Sequence, residues 1–101
     1  MHKHFNNLTS AEAERLAMLV EEAGEVIQAV GKILRHGYEN WSPDDPAKIT
    51  NRMLLSNEIS DLMAVVAMME CDLDPTVGDD LGNAVAKRLR YSHHQLETFD
   101  T

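Results

Sequence analysis

Between about Thr50 and Asp72 the residues Leu54, Leu55, Ile59, Leu62, Val65, Val66, Met68 and Met69 recur three and four apart and make more than half of a helix circumference apolar. A helix of that kind must be covered on several sides. The whole chain has 101 residues, and a chain of that size buries roughly 60 to 70 per cent of its unfolded surface, enough for one modest core. Two further segments carry the same period and none sustains an alternation of two, so the reading is all-α. The first opens at Thr9, where Thr9-Ser10-Ala11-Glu12 fits a capping box, and closes near Gly37 after Arg35 and His36. Its Leu16, Leu19, Val20, Ala23, Ile27, Val30 and Leu34 form one stripe, the expected core face.

The third segment starts at Asp74-Pro75, an N-cap acid followed by proline at the first helical position, and runs to about Tyr91 with Val77, Leu81 and Val85 packed inward. From Gly37 to Ile49 the chain holds Pro43, Pro46 and asparagine, a connection in which Ser42-Pro43-Asp44-Asp45 suits a turn. One domain over residues 1–101 follows, with a core at about 10–91 and frayed ends. Two long helices and a shorter third cannot enclose so apolar a second helix, so the expected architecture is a helical bundle completed by oligomerisation, as a homodimer or homotetramer.

Charge and composition narrow the function. Nine Lys and Arg against seventeen Asp and Glu leave a formal charge of -8, which a polyphosphate backbone repels, so a nucleic-acid polymer is not the expected partner. The longest apolar run, Leu62 to Met69, falls far short of the ~20 residues that a bilayer requires, and no signal-peptide pattern is present. A cytoplasmic protein without membrane attachment is expected. Cys71 is the single cysteine, which excludes an internal disulfide and a cysteine-based zinc site.

Chemistry enters with the acids. Glu58 and Asp61, three apart on the second helix, fall within its apolar stripe, where an unpaired carboxylate costs several kcal/mol. The plain structural account is a pair of acids matched by Arg or Lys from a neighbouring helix. The first helix adds Glu21, Glu22 and Glu25 on one strip, with Glu22 bordering the apolar face near Leu19 and Val26. Surface acids are common, but Met18 and Ala29 share that strip, so the side is not purely polar. Together the five acids are a hard-oxygen donor set, the kind that selects Mg²⁺ or Mn²⁺. A di-iron bundle is excluded by spacing, because no Glu has His three residues later. Setting the five acids aside moves the chain from -8 to -3.

Glu21-Glu22-x-x-Glu25 followed on the next long helix by Glu58-x-x-Asp61 resembles the EExxE...ExxD signature of the all-α nucleotide pyrophosphohydrolases, the MazG-like group that includes dimeric dUTPases and phosphoribosyl-ATP pyrophosphohydrolases. The resemblance covers roughly residues 10 to 91, and Lys32 to Gly37 with Thr50-Asn51-Arg52 is similar to small MazG-like proteins. It implies Mg²⁺-dependent hydrolysis of a nucleoside triphosphate between the α and β phosphates, giving the monophosphate and pyrophosphate. Carried over by position, Glu22, Glu25, Glu58 and Asp61 would ligate metal and Glu21 would orient or deprotonate the attacking water. The gap between Glu25 and Glu58 is long for the family. Family members also carry Asn and Lys on a late helix near the triphosphate, which makes Asn83 and Lys87 the candidate substrate contacts, ahead of Arg88.

Other residues carry less. Lys87 and its neighbours, like Lys32, Arg35 and His36, also sit where cations favour a helix C-terminus. Trp41 and Phe5 are more often packing than base-stacking groups, and the Met residues are packing. The rival functions are a non-catalytic helical interaction module with an acidic cation-binding patch, and a dUTPase or phosphoribosyl-ATP branch of the same chemistry.

Overall fold

The computed structural model describes residues 5–75, 78 and 80–95. They form three helices, α1 (Ser10–His36), α2 (Asn51–Cys71) and α3 (Leu81–Arg90), and the fold is all-helical. No helix among the described residues is long and apolar enough to cross a membrane.

Both long helices begin and end where their local chemistry dictates. Thr9 Oγ1 accepts from Glu12 N at 3.1 Å while Glu12 Oε1 accepts from Thr9 N at 2.8 Å, the reciprocal box that satisfies two otherwise unpaired amides. That bond to the Thr9 amide is the main reason the Glu12 carboxyl lies below its ordinary range. At the other end Gly37 has φ 87°, and its N–H donates to Ile33 O at 2.7 Å. A side chain would strain that backbone, so glycine belongs there. α2 is capped by Thr50, whose Oγ1 accepts from Met53 N at 3.2 Å.

The connection between them is ordered by its own polar groups. Asp45 N donates to Ser42 O at 3.0 Å, closing the turn expected there, and the Asp45 carboxylate accepts from the amides of Ala47 and Ile49, each at 2.9 Å. Asn51 is buried at the start of α2, where its side-chain amide donates to Gly37 O at 3.0 Å and its backbone amide to Asn40 O at 2.8 Å. An antiparallel bridge joins Trp41 to Thr50. These bonds tie the end of α1 to the start of α2, so the two helices return alongside each other as a hairpin.

Two expectations need correction. The third helix begins at Leu81, not at Asp74-Pro75. The Asp74 carboxylate is held by Arg15 instead, accepting from Nε at 2.7 Å and Nη2 at 3.3 Å, and Pro75 lies outside any helix. Leu81 and Val85 are exposed rather than packed inward, α3 makes no extended packing with either long helix, and Val77 lies outside the described residues.

The second correction concerns the face of α1. Its half-buried side carries Met18, Leu19, Glu22, Val26, Ala29 and Ile33, with Arg15 buried at one end, and this is the side toward α2. Of the stripe expected to be the core face, Leu16 is 39 % exposed, Val20 and Ile27 are each 72 % exposed and Leu34 is 82 % exposed. At 100° per residue the two sides lie roughly 110° apart around the helix, so α1 is apolar in two directions and its own hairpin uses only one. On α2 the hairpin buries Val65 and Met69, while Ile59, Met63 and Met68 stay exposed.

Candidate metal centre

The hairpin aligns the middle of α1 with the middle of α2, and acids meet there. Glu58 is half-buried on α2 beside Leu54 and Leu62, Asp61 lies one turn on, and Glu22 projects from the inner side of α1. One carboxylate oxygen from each of Glu22, Glu58 and Asp61 lies within 4.8 Å of the others. Asp61 is exposed, at the rim of the stripe rather than inside it.

Among the described residues no cation forms an ion pair with this group. Among the described residues the ion pairs are Arg15 with Asp72 and Asp74, and Arg52 with Glu39, and none involves the five acids. The structural account, in which arginine or lysine of a neighbouring helix matches Glu58 and Asp61, therefore lacks its cation. Electrostatics follows: burial pushes the Glu22 carboxyl above its ordinary range, and the charges of Asp61, Glu21, Glu58 and Glu25 push it the same way.

Glu25 lies one turn from Glu22 and borders a cleft of about 100 Å³ with Gln28, Lys32, Asn51, Leu54 and Glu58. The cleft continues the acid group toward Lys32, a residue held in reserve by the sequence because its place near a helix C-terminus explained it equally well. Glu21 is exposed on the flank of α1. Asn83 and Lys87 sit on α3, which is not packed on the hairpin, and the Asn83 amide donates to Asp80 Oδ1 at 2.7 Å. Trp41 lines a separate cavity with His36, Asn40 and Pro43, and the Lys48 ammonium stands 5.6 Å from the centre of its ring.

No family model, curated protein or solved structure matches this chain. The site therefore rests on its own chemistry.

The donor set suits a hard divalent cation. Mg²⁺ and Mn²⁺ take oxygen ligands, and at Mg–O distances of about 2.1 Å two opposite ligands of an octahedron stand about 4.2 Å apart. Three oxygens within 4.8 Å on two helices lie close to that span and need only small side-chain rotations to meet one ion. Glu22 was legible in the sequence as an acid bordering the apolar stripe and as a metal ligand implied by the resemblance; its place within reach of Glu58 and Asp61 across the hairpin makes it the centre of the group.

The residue that sequence reasoning missed is Arg15. It is buried at the end of the same groove, with Nη1 donating to Asp72 Oδ2 at 2.7 Å in addition to its bonds with Asp74. The only signal was an arginine on the inner side of an apolar stripe; its partners are 57 and 59 residues away.

Proposed function

We propose that the protein is a Mg²⁺-dependent nucleoside triphosphate pyrophosphohydrolase of MazG-like type, converting (d)NTP to (d)NMP and pyrophosphate as a homodimer or homotetramer. The observation that carries this reading is the convergence of Glu22, Glu58 and Asp61 across two facing helices, with no ion pair to a cation among the described residues. These three with Glu25 would hold Mg²⁺ or Mn²⁺. Such an ion, when bound, lowers the pKa of a coordinated water and neutralises charge developing on phosphate oxygens.

The chain's own residues supply the rest. Glu21, exposed beside the metal-facing acids, is a carboxylate free to orient and accept a proton from an attacking water. Lys32, across the cleft from Glu58, and Asn83 with Lys87, once α3 is brought to the hairpin, offer donors for phosphate oxygens. No covalent nucleophile is required, in keeping with the lack of a serine or cysteine among the residues that line the cleft.

A pyrophosphate-release screen over canonical and modified nucleoside triphosphates, with and without Mg²⁺, tests the reading. Metal-dependent release with at least one nucleotide is expected. No release from a folded protein that nonetheless gains melting temperature with millimolar Mg²⁺ would leave a cation-binding interaction module in its place, and no thermal shift with Mg²⁺ or Mn²⁺ would remove the metal site as well.

A further inference from the structure

The cleft beside the acids and the cavity beside Trp41 share a wall. Asn51, the first residue of α2, lines both, with Lys32, Leu54 and Glu58 on one side of it and His36, Trp41 and Pro43 on the other. Asn51 is 7 % exposed, and its side-chain amide uses only part of its bonding capacity. One hydrogen of Nδ2 goes to Gly37 O, and among the described residues nothing bonds the second hydrogen or Oδ1. A buried amide is left with one donor and one acceptor to offer. Nucleobase edges present the complementary pair, as when asparagine binds adenine through N6 and N7.

Trp41 is not buried as a packing residue would be. Its ring is 41 % exposed, yet its backbone is fixed: a bridge joins it to Thr50, and the amides of Asn51 and Arg52 donate to Asn40 O at 2.8 Å and Tyr38 O at 2.9 Å. The Lys48 ammonium stands 5.6 Å from the ring centre. Lys48 reaches it from left-handed backbone, φ 54°, which lysine seldom adopts. Asp45 holds that conformation through the amides of Ala47 and Ile49 on either side. An open aromatic ring on an ordered loop, with a cation held against one face by strained backbone, is a preorganised stacking surface.

We propose that the Trp41 cavity is a nucleobase subsite, in which the base stacks on the face of Trp41 away from Lys48 and meets the free amide edge of Asn51, while the phosphates run past Lys32 to the acids. Size selects a single ring system: the cavity holds about 190 Å³, short of the ~300 Å³ at which pockets begin to take a whole drug-sized molecule. Distance selects the connection. Asn51 precedes Glu58 by two turns of α2, about 10 Å by helix rise, and His36 follows Lys32 by one turn of α1. The groove therefore runs from the acids past Lys32 and Asn51 to Trp41, the order in which a nucleotide presents phosphates, sugar and base. The choice of a nucleotide as ligand rests on the pyrophosphohydrolase reading.

Trp41 is the single tryptophan of the chain, so tryptophan fluorescence reports on this cavity alone. The probes are the canonical ribo- and deoxyribonucleoside monophosphates, which have no α–β bond to cleave, and inorganic tripolyphosphate, which has no base, each titrated with Mg²⁺ present. At least one monophosphate should quench Trp41 saturably, whereas tripolyphosphate should raise the melting temperature and leave the fluorescence unchanged. Equal quenching by tripolyphosphate would overturn the subsite, because phosphate alone would then move the signal. Trp41→Ala should weaken binding of the quenching nucleotide roughly 10- to 100-fold by calorimetry, the scale of one base stacked on an aromatic ring, and keep the tripolyphosphate response. Trp41→Phe keeps a ring in place and should recover most of the affinity, which a folding defect at this position would not allow. An unchanged nucleotide affinity in Trp41→Ala would overturn the subsite. Fluorescence that no nucleotide moves, in a protein that releases pyrophosphate, would overturn the subsite and leave the hydrolase standing; quenching in a protein that releases none would do the reverse. No response in either assay would overturn both.

Discussion

The groove between α1 and α2 has two acidic places, and they are treated in opposite ways. At one end Asp72 and Asp74 close on Arg15, all three within hydrogen-bonding distance, with Arg15 and the Asp74 side chain each about nine-tenths buried. Two turns along the same side of α1, about 10 Å away by helix rise, Glu22 meets Glu58 and Asp61 with no ion pair to a cation among the described residues. The first place is complete within the chain: guanidinium and carboxylates satisfy one another, raising the Arg15 pKa and lowering that of Asp74, in each case chiefly through their shared hydrogen bond. The second is incomplete, and Glu22 shows it by shifting the other way. A chain that had needed only to neutralise its buried acids had an arginine two turns away and used it elsewhere. The unmatched group is thus a place where a cation from outside the chain gains most.

The largest expected effect follows from breaking the unmatched place. Glu58→Gln keeps the shape of the side chain and removes its charge, and an amide is a poor Mg²⁺ ligand. Turnover and most of the Mg²⁺-dependent rise in melting temperature should both disappear, while the metal-free protein holds or gains stability because one repelling charge has gone. A variant that loses stability without metal and keeps its Mg²⁺ response would show that Glu58 is a structural acid.

Glu21→Gln sharpens the division of labour. Glu21 lies outside the three-acid group, so the metal-induced rise in melting temperature should largely survive, while pyrophosphate release falls by roughly 10² to 10⁴, the scale for losing a general base. Equal, small losses in the Glu21 and Glu58 variants would mean that the roles are wrongly assigned.

How much of this the sequence contained depends on whether the signal was local. Thr9 with Glu12, Thr50 and Gly37 act within a few residues, so both ends of α1 and the start of α2 could be read from spacing alone. Asp74-Pro75 has the same local form, yet its acid is taken by an arginine 59 residues earlier, and the helix starts at Leu81 instead. Periodicity located an apolar stripe on α1 but could not say which of two apolar sides meets α2, because the period is identical for both. The acids at positions 58 and 61 were visible through their spacing, and Glu22 through its place at the border of a stripe. The company that Asn83 and Lys87 keep depends on the path from α2 to α3, which no periodicity encodes.

A smaller effect comes from breaking the matched place. Arg15→Met keeps the apolar stem and removes the guanidinium, leaving the largely buried Asp74 carboxylate without its partner. The melting temperature should fall by several degrees at neutral pH, with little change in the Mg²⁺ response measured as a shift from the metal-free value. If the Mg²⁺ response collapsed as well, the two places would be one coupled network and the contrast between them would fail.

The smallest effect is one of pH, and its sign separates the two places. The Asp74 carboxyl lies below its ordinary value of 3.8 when folded, so the stability it contributes is fully present above that value and is lost as pH falls through the folded pKa. The Glu22 carboxyl lies above its ordinary value of 4.5 when folded, so without metal it weakens the folded state fully above its folded pKa, and that penalty is relieved as pH falls toward 4.5. In metal-free melts Asp74→Asn should therefore be less stable than the wild type at neutral pH, the gap closing below about pH 4, where Asp74 of the wild type takes up its proton. Glu22→Gln should be more stable than the wild type at neutral pH, and that gap too should close on acidification, at a higher pH than the first because the Glu22 carboxyl protonates earlier. Gaps of the same sign, or closure in the reverse order, would show that burial and neighbouring charge do not act on Glu22 as the geometry of the groove requires.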